Sequence, residues 1–317
     1  MTIAFGPVPS RRLGRSLGIN NIPPKSCSYS CLYCQVGATQ GRTIEPRHFF
    51  APEEIFREVS ARVKKARSMD EPIDYLTFVP DGEPTLDINL GKAIKSLRPL
   101  NIPIAVISNA SLLSREDVRD AISEADWVSV KIDSIDADIW KQINRPHESL
   151  RLRDILDGIA KFAQQFGGQL VSETMLVAGI NDSQDCVVGA ADFLQEIGLS
   201  KAYLSIPTRP TAESGIHPPG ELVVNRAYQI FDDRLPHVEY LIGYEGDAFT
   251  FTGNIRQDLL SITAVHPMRE SAVRELLVRA KADWSLVSEL ITAGMLKEVE
   301  YLGKRYYVRR FVGQTEK

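Results

Sequence analysis

Short apolar runs alternate with helical stretches between about residue 70 and residue 210 of the chain. The runs are rich in β-branched residues, and apolar residues in the stretches between them recur at helical spacing. This alternation is typical of βα units that build a parallel sheet, either open or curled into a barrel. We predict about six βα repeats, with strands at residues 17–20, 75–79, 104–108, 127–132, 170–176 and 202–206.

Helices are predicted between these strands. The one at residues 52–67 has a proline and two acids in its first turn, and the one at 114–123 opens with Ser-x-x-Asp. Two more follow at residues 152–166 and 183–198. The fold class is therefore α/β.

The pattern changes near residue 254. Three helices are predicted at residues 254–265, 270–281 and 284–293, and Gly294 closes the last of them. The segment LKEVEYLGKRYYVRRF follows as a hairpin with an LGK turn. Three helices and a hairpin indicate a small winged-helix (α+β) domain, so we predict domains at 1–254 and 255–317.

Composition places the chain among soluble globular proteins, with 44% hydrophobic and 25% charged residues in 317. It contains no run of about 18 apolar residues, and its first residues lack the order of a secretory signal. We expect a cytoplasmic protein with no membrane partner.

Four cysteines are too few for a disulfide scaffold, and three of them, Cys27, Cys31 and Cys34, fall within eight positions. Three thiolates fill three corners of a [4Fe-4S] cluster and leave one iron open to another ligand. A structural zinc ion normally takes four ligands, and His48 and Cys186 do not supply a second close pair. The spacing therefore favours a cluster over zinc, and the polar, turn-rich segment argues against merely buried thiols.

The string CSYSCLYC, with Tyr33 before the last cysteine, resembles the signature of the radical S-adenosylmethionine (SAM) superfamily. The resemblance implies a partial (βα)6 TIM-like barrel in which the open iron binds the amino and carboxylate groups of SAM. One electron then cleaves SAM to methionine and a 5′-deoxyadenosyl radical, which abstracts hydrogen from a substrate. The resemblance also implies an electron donor such as a ferredoxin or flavodoxin. It places Tyr33 near the adenine, although an ordinary loop aromatic is the open alternative.

The segment Asp81-Gly82-Glu83-Pro84-Thr85 follows a predicted strand and resembles the GGEP motif of the superfamily, with Asp81 in place of the first glycine. In the family this motif receives the methionyl amino group of SAM. The resemblance therefore implies SAM contacts for Asp81, Gly82, Glu83 and Pro84. A carboxylate and backbone carbonyls suit an ammonium group, and glycine lets the backbone approach closely.

Polar residues stand at the ends of further predicted strands, which would be apolar throughout if buried on both faces. Functional groups of parallel sheets gather at the carboxyl ends of strands. These side chains point into a polar lumen or face solvent, and the resemblance favours the lumen. It implies SAM contacts for Ser108, Asn109 and Glu173, and substrate contacts, as candidate catalytic residues, for Lys131, Asp133 and Arg209.

Two other polar stretches have open interpretations. Arg11, Arg12 and Arg15 either bind a phosphate or carboxylate near the cluster or form a solvated basic arm. Asn-Arg-Pro-His at residues 144–147 is either a substrate-facing loop or a helix end with a surface histidine.

Taken together, the motifs resemble radical SAM proteins related to wyosine synthases, over nearly the entire chain. Characterised members of that group act on a methylated guanosine in tRNA with pyruvate, and use a second cluster and a substrate-binding lysine. The sequence has no cysteine before Cys27 and only Cys186 after Cys34, which is too few for a second cluster. We therefore expect the protein to cleave SAM and to abstract hydrogen from an unidentified substrate. A tRNA base, a small metabolite and a peptide are the alternatives.

The C-terminal segment carries a net charge of +3 over residues 255–317, against −4 for the chain. Its hairpin mixes basic and aromatic residues in a way that suits tRNA or another nucleic acid, although Glu298 and Glu300 dilute the charge. Docking of a protein and structural capping are the alternatives. A non-enzymatic iron–sulfur sensor that binds DNA is a rival hypothesis, but it would not need the polar strand ends.

Overall fold

The computed structural model describes residues 2–39, 41–199, 201–242 and 249–310. Eight strands form one sheet in chain order: β1 (Ala4–Ser10), β2 (Gly14–Ile19), β3 (Tyr75–Phe78), β4 (Ile104–Ser108), β5 (Trp127–Lys131), β6 (Gln169–Met175), β7 (Lys201–Ser205) and β8 (Val238–Leu241). β1 pairs antiparallel with β2, and β2 to β8 are parallel. The sheet curls between its edges β1 and β8, which confirms the predicted partial TIM-like barrel.

Helices connect the parallel strands and cover the outside of the sheet: α1 (Pro52–Ser68), α2 (Leu90–Leu97), α3 (Glu116–Ile122), α4 (Ala137–Asn144), α5 (Leu152–Gln165), α6 (Gln184–Glu196) and α7 (Glu221–Asp232). They bury one apolar face each. In α1 that face includes Ile55, Val59 and Val63, at intervals of four residues.

The two faces of the sheet bury different side chains because residues alternate along a strand. Ile104 and Val106 of β4 join the main core with the helices, whereas Ala105 lies in an inner cluster with Trp127 and Leu13. Trp127 begins β5 and Leu13 directly precedes β2. The inner cluster therefore includes residues at the amino end of the barrel, and functional groups are expected at the carboxyl ends of the strands.

The C-terminal unit, residues 255–310, contains α8 (Ile255–Val265), β9 (Met268–Arg269), α9 (Glu270–Arg279), α10 (Ser285–Thr292), β10 (Leu296–Tyr301) and β11 (Lys304–Arg309). The three predicted helices and the hairpin are present, and Leu302 and Gly303 form the turn with positive φ angles. Phe311, the predicted end of the hairpin, lies outside the described residues. The winged-helix assignment and the domain boundary at 254 stay predictions.

Hydrogen bonds fasten the hairpin to the barrel. Tyr301 Oη donates to the Pro207 and Ile216 carbonyls, at 3.2 and 3.4 Å, and Tyr306 Oη donates to the Thr208 carbonyl at 2.9 Å. The carbonyls belong to the loop after β7. The C-terminal unit is thus attached beside the open end of the barrel.

A buried ion pair joins the unit to the outer helices. Asp258 of α8 is 1% exposed and lies 3.4 Å from the guanidinium of Arg62 in α1. Its carboxylate also accepts from Thr252 N at 2.7 Å and Thr252 Oγ1 at 2.5 Å, and Arg62 donates to the same hydroxyl. Each charged or polar group in this contact has a partner. Removing one side chain of the ion pair therefore leaves the other charge buried without its partner.

No helix in the described ranges has the length and apolar character needed to cross a membrane.

We predict that Asp258→Ala lowers the midpoint of thermal unfolding by about 5–10 °C. The substitution leaves the Arg62 charge without its partner, at a cost of about 3–5 kcal/mol in the free energy of unfolding. Differential scanning calorimetry measures the shift. Glu275→Ala is the matched control, since it removes an exposed i,i+4 pair with Arg279 and should cost less than about 1 kcal/mol. Equal shifts in the two variants would contradict the prediction.

Candidate active site

The cysteine loop, residues 20–39, is joined by its backbone to the acidic loop, residues 81–85. Lys25 N donates to the Asp81 carbonyl at 2.7 Å, and Glu83 N donates to the Ser26 carbonyl at 2.9 Å. These bonds form a parallel bridge between Ser26 and Gly82. A Cβ at Gly82, where φ is +153°, would lie 2.0 Å from the Ser26 carbonyl oxygen. Glycine is therefore required for the two loops to meet.

The opposite side of the cysteine loop is held by the segment 144–147. Leu32 N donates to the Ile143 carbonyl at 3.0 Å, Ser30 N donates to the Asn144 carbonyl at 3.1 Å, and His147 N donates to the Ser28 carbonyl at 2.8 Å. The segment is therefore a support for the cysteine loop. α4 ends at Asn144, as the second of the two alternatives expected, whereas the support of the cysteine loop was not predicted.

The three cysteines of this loop are free and half-buried. Asn109 Nδ2 lies 3.6 Å from Cys27 Sγ, and Asn144 Nδ2 lies 3.4 Å from Cys31 Sγ, both as donors. Burial raises the pKa of all three thiols, that of Cys31 to about 12, and neighbouring cysteines add to the rise at Cys27 and Cys31. The free thiols are therefore protonated at neutral pH, and a bound metal must displace those protons. Across the described residues, no three His, Cys, Asp or Glu side chains converge on a single-ion site.

Glu83 links the acidic loop to the end of β4. Its Oε1 accepts from Thr85 N, Thr85 Oγ1 and Ser108 Oγ at 3.1, 2.6 and 2.7 Å, and its Oε2 accepts from Asn109 N at 2.7 Å. Burial raises the pKa of Glu83, and these hydrogen bonds oppose the rise. Glu83 and Ser108 thus position the loop from within the protein, and direct SAM contact by either stays a prediction.

Asp81 is the other carboxylate of the acidic loop, and it is 3% exposed. Lys25 Nζ lies 3.2 Å from its Oδ1, but no described residue donates a well-oriented hydrogen bond to either oxygen. Burial raises the pKa of Asp81 to about 6, against the opposing charge of Lys25. Pro84, three positions after Asp81, begins a short 3-10 turn, and its carbonyl accepts from Asn21 Nδ2 at 3.0 Å.

A charged network crosses the lumen of the barrel. Glu173 Oε1 accepts from Lys131 Nζ and Ser205 Oγ, each at 2.9 Å, and its Oε2 accepts from Arg12. Burial alone would raise the pKa of Glu173, yet Lys131 and Arg12 hold it well below its ordinary value. Burial lowers the pKa of Lys131, but the charges of Glu173 and Asp133 outweigh burial and raise it. The carboxylate and the ammonium are both ionised at neutral pH.

Tyr33 and Asp133 meet beside this network. Tyr33 is 7% exposed and donates its hydroxyl to Asp133 Oδ2, which also accepts from Asn144 Nδ2 at 2.7 Å. Asp133 Oδ1 accepts from Met175 N at 2.8 Å, and Lys131 Nζ lies 5.0 Å from the centre of the Tyr33 ring. The predicted residues Tyr33, Lys131, Asp133 and Glu173 therefore form one connected group.

Among the N-terminal arginines, Arg12 contacts this group through Glu173. Arg11 donates to the Leu241 carbonyl, and Arg15 is paired with Glu71, away from the cysteine loop. The three arginines therefore do not form a solvated basic arm, and binding of a phosphate or carboxylate by any of them stays a prediction.

Arg209, a predicted substrate contact, is 6% exposed, and its guanidinium donates to Gln35 Oε1 at 3.1 Å. It shares a lumen cavity of about 190 Å³ with Arg12 and Glu173.

Three residues of the site were either not predicted from the sequence or had two alternative interpretations. Lys25 contacts Asp81, Arg12 contacts Glu173, and Asn144 contacts Cys31. Lys25 lies two positions before Cys27, and Asn144 lies in a segment already singled out, so their positions in the sequence were the available signal.

Comparison with known proteins points to one superfamily. The sequence matches the Radical SAM superfamily over residues 21–194. The UPF0026 protein of Methanocaldococcus jannaschii is 48% identical over 311 residues, which are 98% of this chain and 96% of the relative.

Two solved structures share the fold. A radical SAM methyltransferase from Sphaerobacter thermophilus has a TM-score of 0.52 and 17% identity, over 71% of this chain and 66% of that protein. TYW1 with a lysine–pyruvate adduct bound also has a TM-score of 0.52, with 14% identity, over 70% of this chain and 74% of that chain. At these identities the likeness concerns the fold alone.

We predict that Gly82→Ala destabilises the protein by about 1–3 kcal/mol, because the new Cβ meets the Ser26 carbonyl. Less iron and sulfide should be bound per chain after anaerobic reconstitution, since the cysteine loop loses its support. Gly167→Ala is the control, because a Cβ there meets nothing within 4 Å. Wild-type iron content and stability in Gly82→Ala would show that the bridge is dispensable.

Proposed function

The chain belongs to the radical SAM superfamily and to the UPF0026 family, and on that premise we propose that Cys27, Cys31 and Cys34 hold its [4Fe-4S] cluster. It is an enzyme that cleaves SAM, and its cofactors are the cluster and SAM.

The donor set fits the cluster. Three thiols lie in one loop, and two of them accept amide N–H groups, from Asn109 and Asn144, which suit the negative charge of a ligated thiolate. When bound, the cluster supplies one electron for the reductive cleavage of SAM to methionine and a 5′-deoxyadenosyl radical. The substrate then gives up a hydrogen atom.

The single observation that supports this proposal most strongly is the Ser26–Gly82 bridge, since it fixes the cysteine loop beside the acidic loop at the strand ends. There we propose SAM contacts for the Asp81 carboxylate, for the backbone of Gly82 and Pro84, and for Asn109. Glu83 and Ser108 hold these groups in place. Tyr33 presents one face to Lys131, and we propose that its other face borders the adenine.

We propose that the substrate lies over the lumen, within reach of Lys131, Asp133 and Arg209. The ionised Lys131–Glu173–Arg12 network offers fixed charges there. Fixed dipoles and charges stabilise a reacting group without reorganisation.

We favour a small molecule over tRNA as the substrate. Tyr306 and Tyr307 of the hairpin are each 1% exposed, so they are not available for stacking on bases. Arg305 is paired with Glu270 at 2.8 Å, which reduces the free charge of the same surface. We therefore propose that the chain is a divergent relative of the wyosine synthases with a different substrate.

Replacing Cys27, Cys31 or Cys34 singly by alanine should abolish cluster binding, because each loss removes one of three iron ligands. Iron content and 5′-deoxyadenosine formation after anaerobic reconstitution measure the effect. Cys186→Ala, a half-buried cysteine on α6, is the matched control and should keep both. A cluster that survives any of the three replacements, or that is lost with Cys186, would overturn the assignment.

A second prediction concerns Lys131, because TYW1 was solved with a lysine–pyruvate adduct. An amine that Glu173 keeps protonated is a poor nucleophile, so Lys131 should bind the substrate by charge and form no adduct. Borohydride treatment with pyruvate should leave the protein mass unchanged. Lys131→Arg should keep more of the substrate-dependent activity than Lys131→Met, and a trapped pyruvate on Lys131 would contradict this role.

A further inference from the structure

Asn144, the last residue of α4, contacts the cysteine loop with both its backbone and its side chain. Its carbonyl accepts from Ser30 N at 3.1 Å. A second contact between α4 and the loop comes from Trp140, whose Nε1 donates to Tyr29 Oη at 3.2 Å. Neither of these bonds uses the Asn144 side chain. The loop is therefore held against α4 by groups that remain when that side chain is replaced.

The amide of Asn144 lies between a cysteine of the proposed cluster and a carboxylate of the lumen. Asn144 is 2% exposed, and its Nδ2 lies 2.7 Å from Asp133 Oδ2. The same nitrogen is 3.4 Å from Cys31 Sγ and 3.2 Å from Tyr33 Oη. An amide nitrogen carries two hydrogens. One therefore donates to the carboxylate, and the other is available to the sulfur and the phenol oxygen.

The carboxylate fixes the direction of this amide. If the amide were turned over, its oxygen would face the Asp133 carboxylate and the Cys31 sulfur, which are both acceptors, and buried donors would be lost to them. Asp133 is itself held in place, since it is 4% exposed and its Oδ1 accepts from Met175 N at 2.8 Å. The nitrogen of Asn144 is thus kept towards the cysteine.

A hydrogen bond to a cluster sulfur favours the reduced cluster, because the added electron increases the negative charge on its ligands. The surroundings of Cys31 act in the opposite direction. Burial raises the pKa of the Cys31 thiol, donation from Asn144 lowers it, and the charges of Cys34 and Asp133 raise it further. The Asn144 amide therefore offsets part of what burial and a nearby carboxylate cost a negatively charged sulfur.

Asn109 also donates to a cysteine, but its other partners differ. Its Nδ2 lies 3.6 Å from Cys27 Sγ and 3.0 Å from Ser28 Oγ, and its Oδ1 accepts from Ser111 N at 2.9 Å. These partners are neutral groups of the cysteine loop and of the segment after β4. The Asn144 amide, in contrast, joins a cysteine to a carboxylate of the lumen.

We propose that Asn144 is a positioning residue for the cluster: Asp133 orients its amide, and the amide donates to Cys31 Sγ and raises the reduction potential of the cluster. This inference rests on the proposed function, because it takes Cys31 as a ligand of the cluster. It goes further by naming a side chain that sets how readily the cluster accepts the electron used to cleave SAM.

The test uses anaerobically reconstituted holoenzyme without SAM. Redox titration followed by electron paramagnetic resonance measures the ratio of reduced to oxidised cluster at a fixed potential. We expect Asn144→Leu, which is similar in shape and has no donor, to lower this ratio at least about fivefold. Asn144→Asp is a second variant, because it has the shape of asparagine but lacks the amide hydrogens. It should shift the ratio in the same direction by at least as much.

Asn181→Ala is the matched control. Asn181 is 1% exposed, and its Nδ2 donates to the Asp133 and Met175 carbonyls, each at 2.8 Å. The substitution removes a buried amide from the same region, and no described hydrogen bond joins that amide to a cysteine. The ratio should therefore stay within about twofold of wild type. Thermal unfolding and iron content show whether each variant is folded and holds a cluster.

A double-mutant cycle tests the orienting role of Asp133. In an Asp133→Ala background the amide has lost the acceptor that fixes its direction, so Asn144→Leu should change the ratio by less than about twofold. A full fivefold effect in that background would overturn the orienting role.

The remaining outcomes separate this inference from the proposed function. A fall of less than about fivefold in both Asn144 variants, or an equal fall in Asn181→Ala, would overturn the inference and leave the cluster assignment intact. Loss of the cluster from both Asn144 variants would assign the residue to cluster assembly and would also overturn it. A cluster that survives Cys31→Ala would instead contradict the proposed function.

Discussion

The active site depends on one close backbone contact, the bridge between Ser26 and Gly82. It brings a loop that follows β2 against a loop that follows β3, and only glycine leaves room for it. The cysteine loop buries Ile22, Tyr29, Leu32 and Tyr33, but its backbone has no regular secondary structure of its own. Its shape is therefore fixed by backbone hydrogen bonds to the acidic loop on one side and to residues 144–147 on the other. Both supports are segments that follow barrel elements, so the position of the cysteines is set by the sheet.

The cost of burying charged groups is the second constraint on the site. Its buried carboxylates differ in how many cationic partners and hydrogen-bond donors they have. Glu173 has two cationic partners and Glu83 has four hydrogen-bond donors, which makes both carboxylates parts of the framework. Asp81 has one ion pair and no well-oriented donor in the described structure. A carboxylate left in this state is poised to receive a ligand. This contrast explains why the two acids of one short loop are assigned different roles.

The alternation of apolar runs and helices predicted a parallel α/β sheet, open or curled, and the resemblance of the motifs to the radical SAM superfamily implied the barrel. The strands β1 and β8 and the helices α2, α4 and α7 were not predicted. For β8 the reason is that Val238–Leu241 has two exposed residues and is only weakly apolar. Local motifs indicated the cysteines, Tyr33 and the acidic loop. The ion pair between Arg12 and Glu173 could not be predicted, because the two residues are 161 positions apart and lie on elements that are not neighbours in the sheet. The hairpin tyrosines look like nucleic-acid contacts in the sequence, and only packing shows that two of them are buried.

The central claim is that these loops make a working SAM-cleaving site, and release of 5′-deoxyadenosine tests it most directly. Protein reconstituted anaerobically with iron and sulfide is mixed with dithionite and SAM, and the products are quantified by chromatography and mass spectrometry. We expect 5′-deoxyadenosine and methionine to form in equal amounts, and their formation to require both the reductant and the cluster. Fully reconstituted protein that binds SAM but releases no 5′-deoxyadenosine would contradict it.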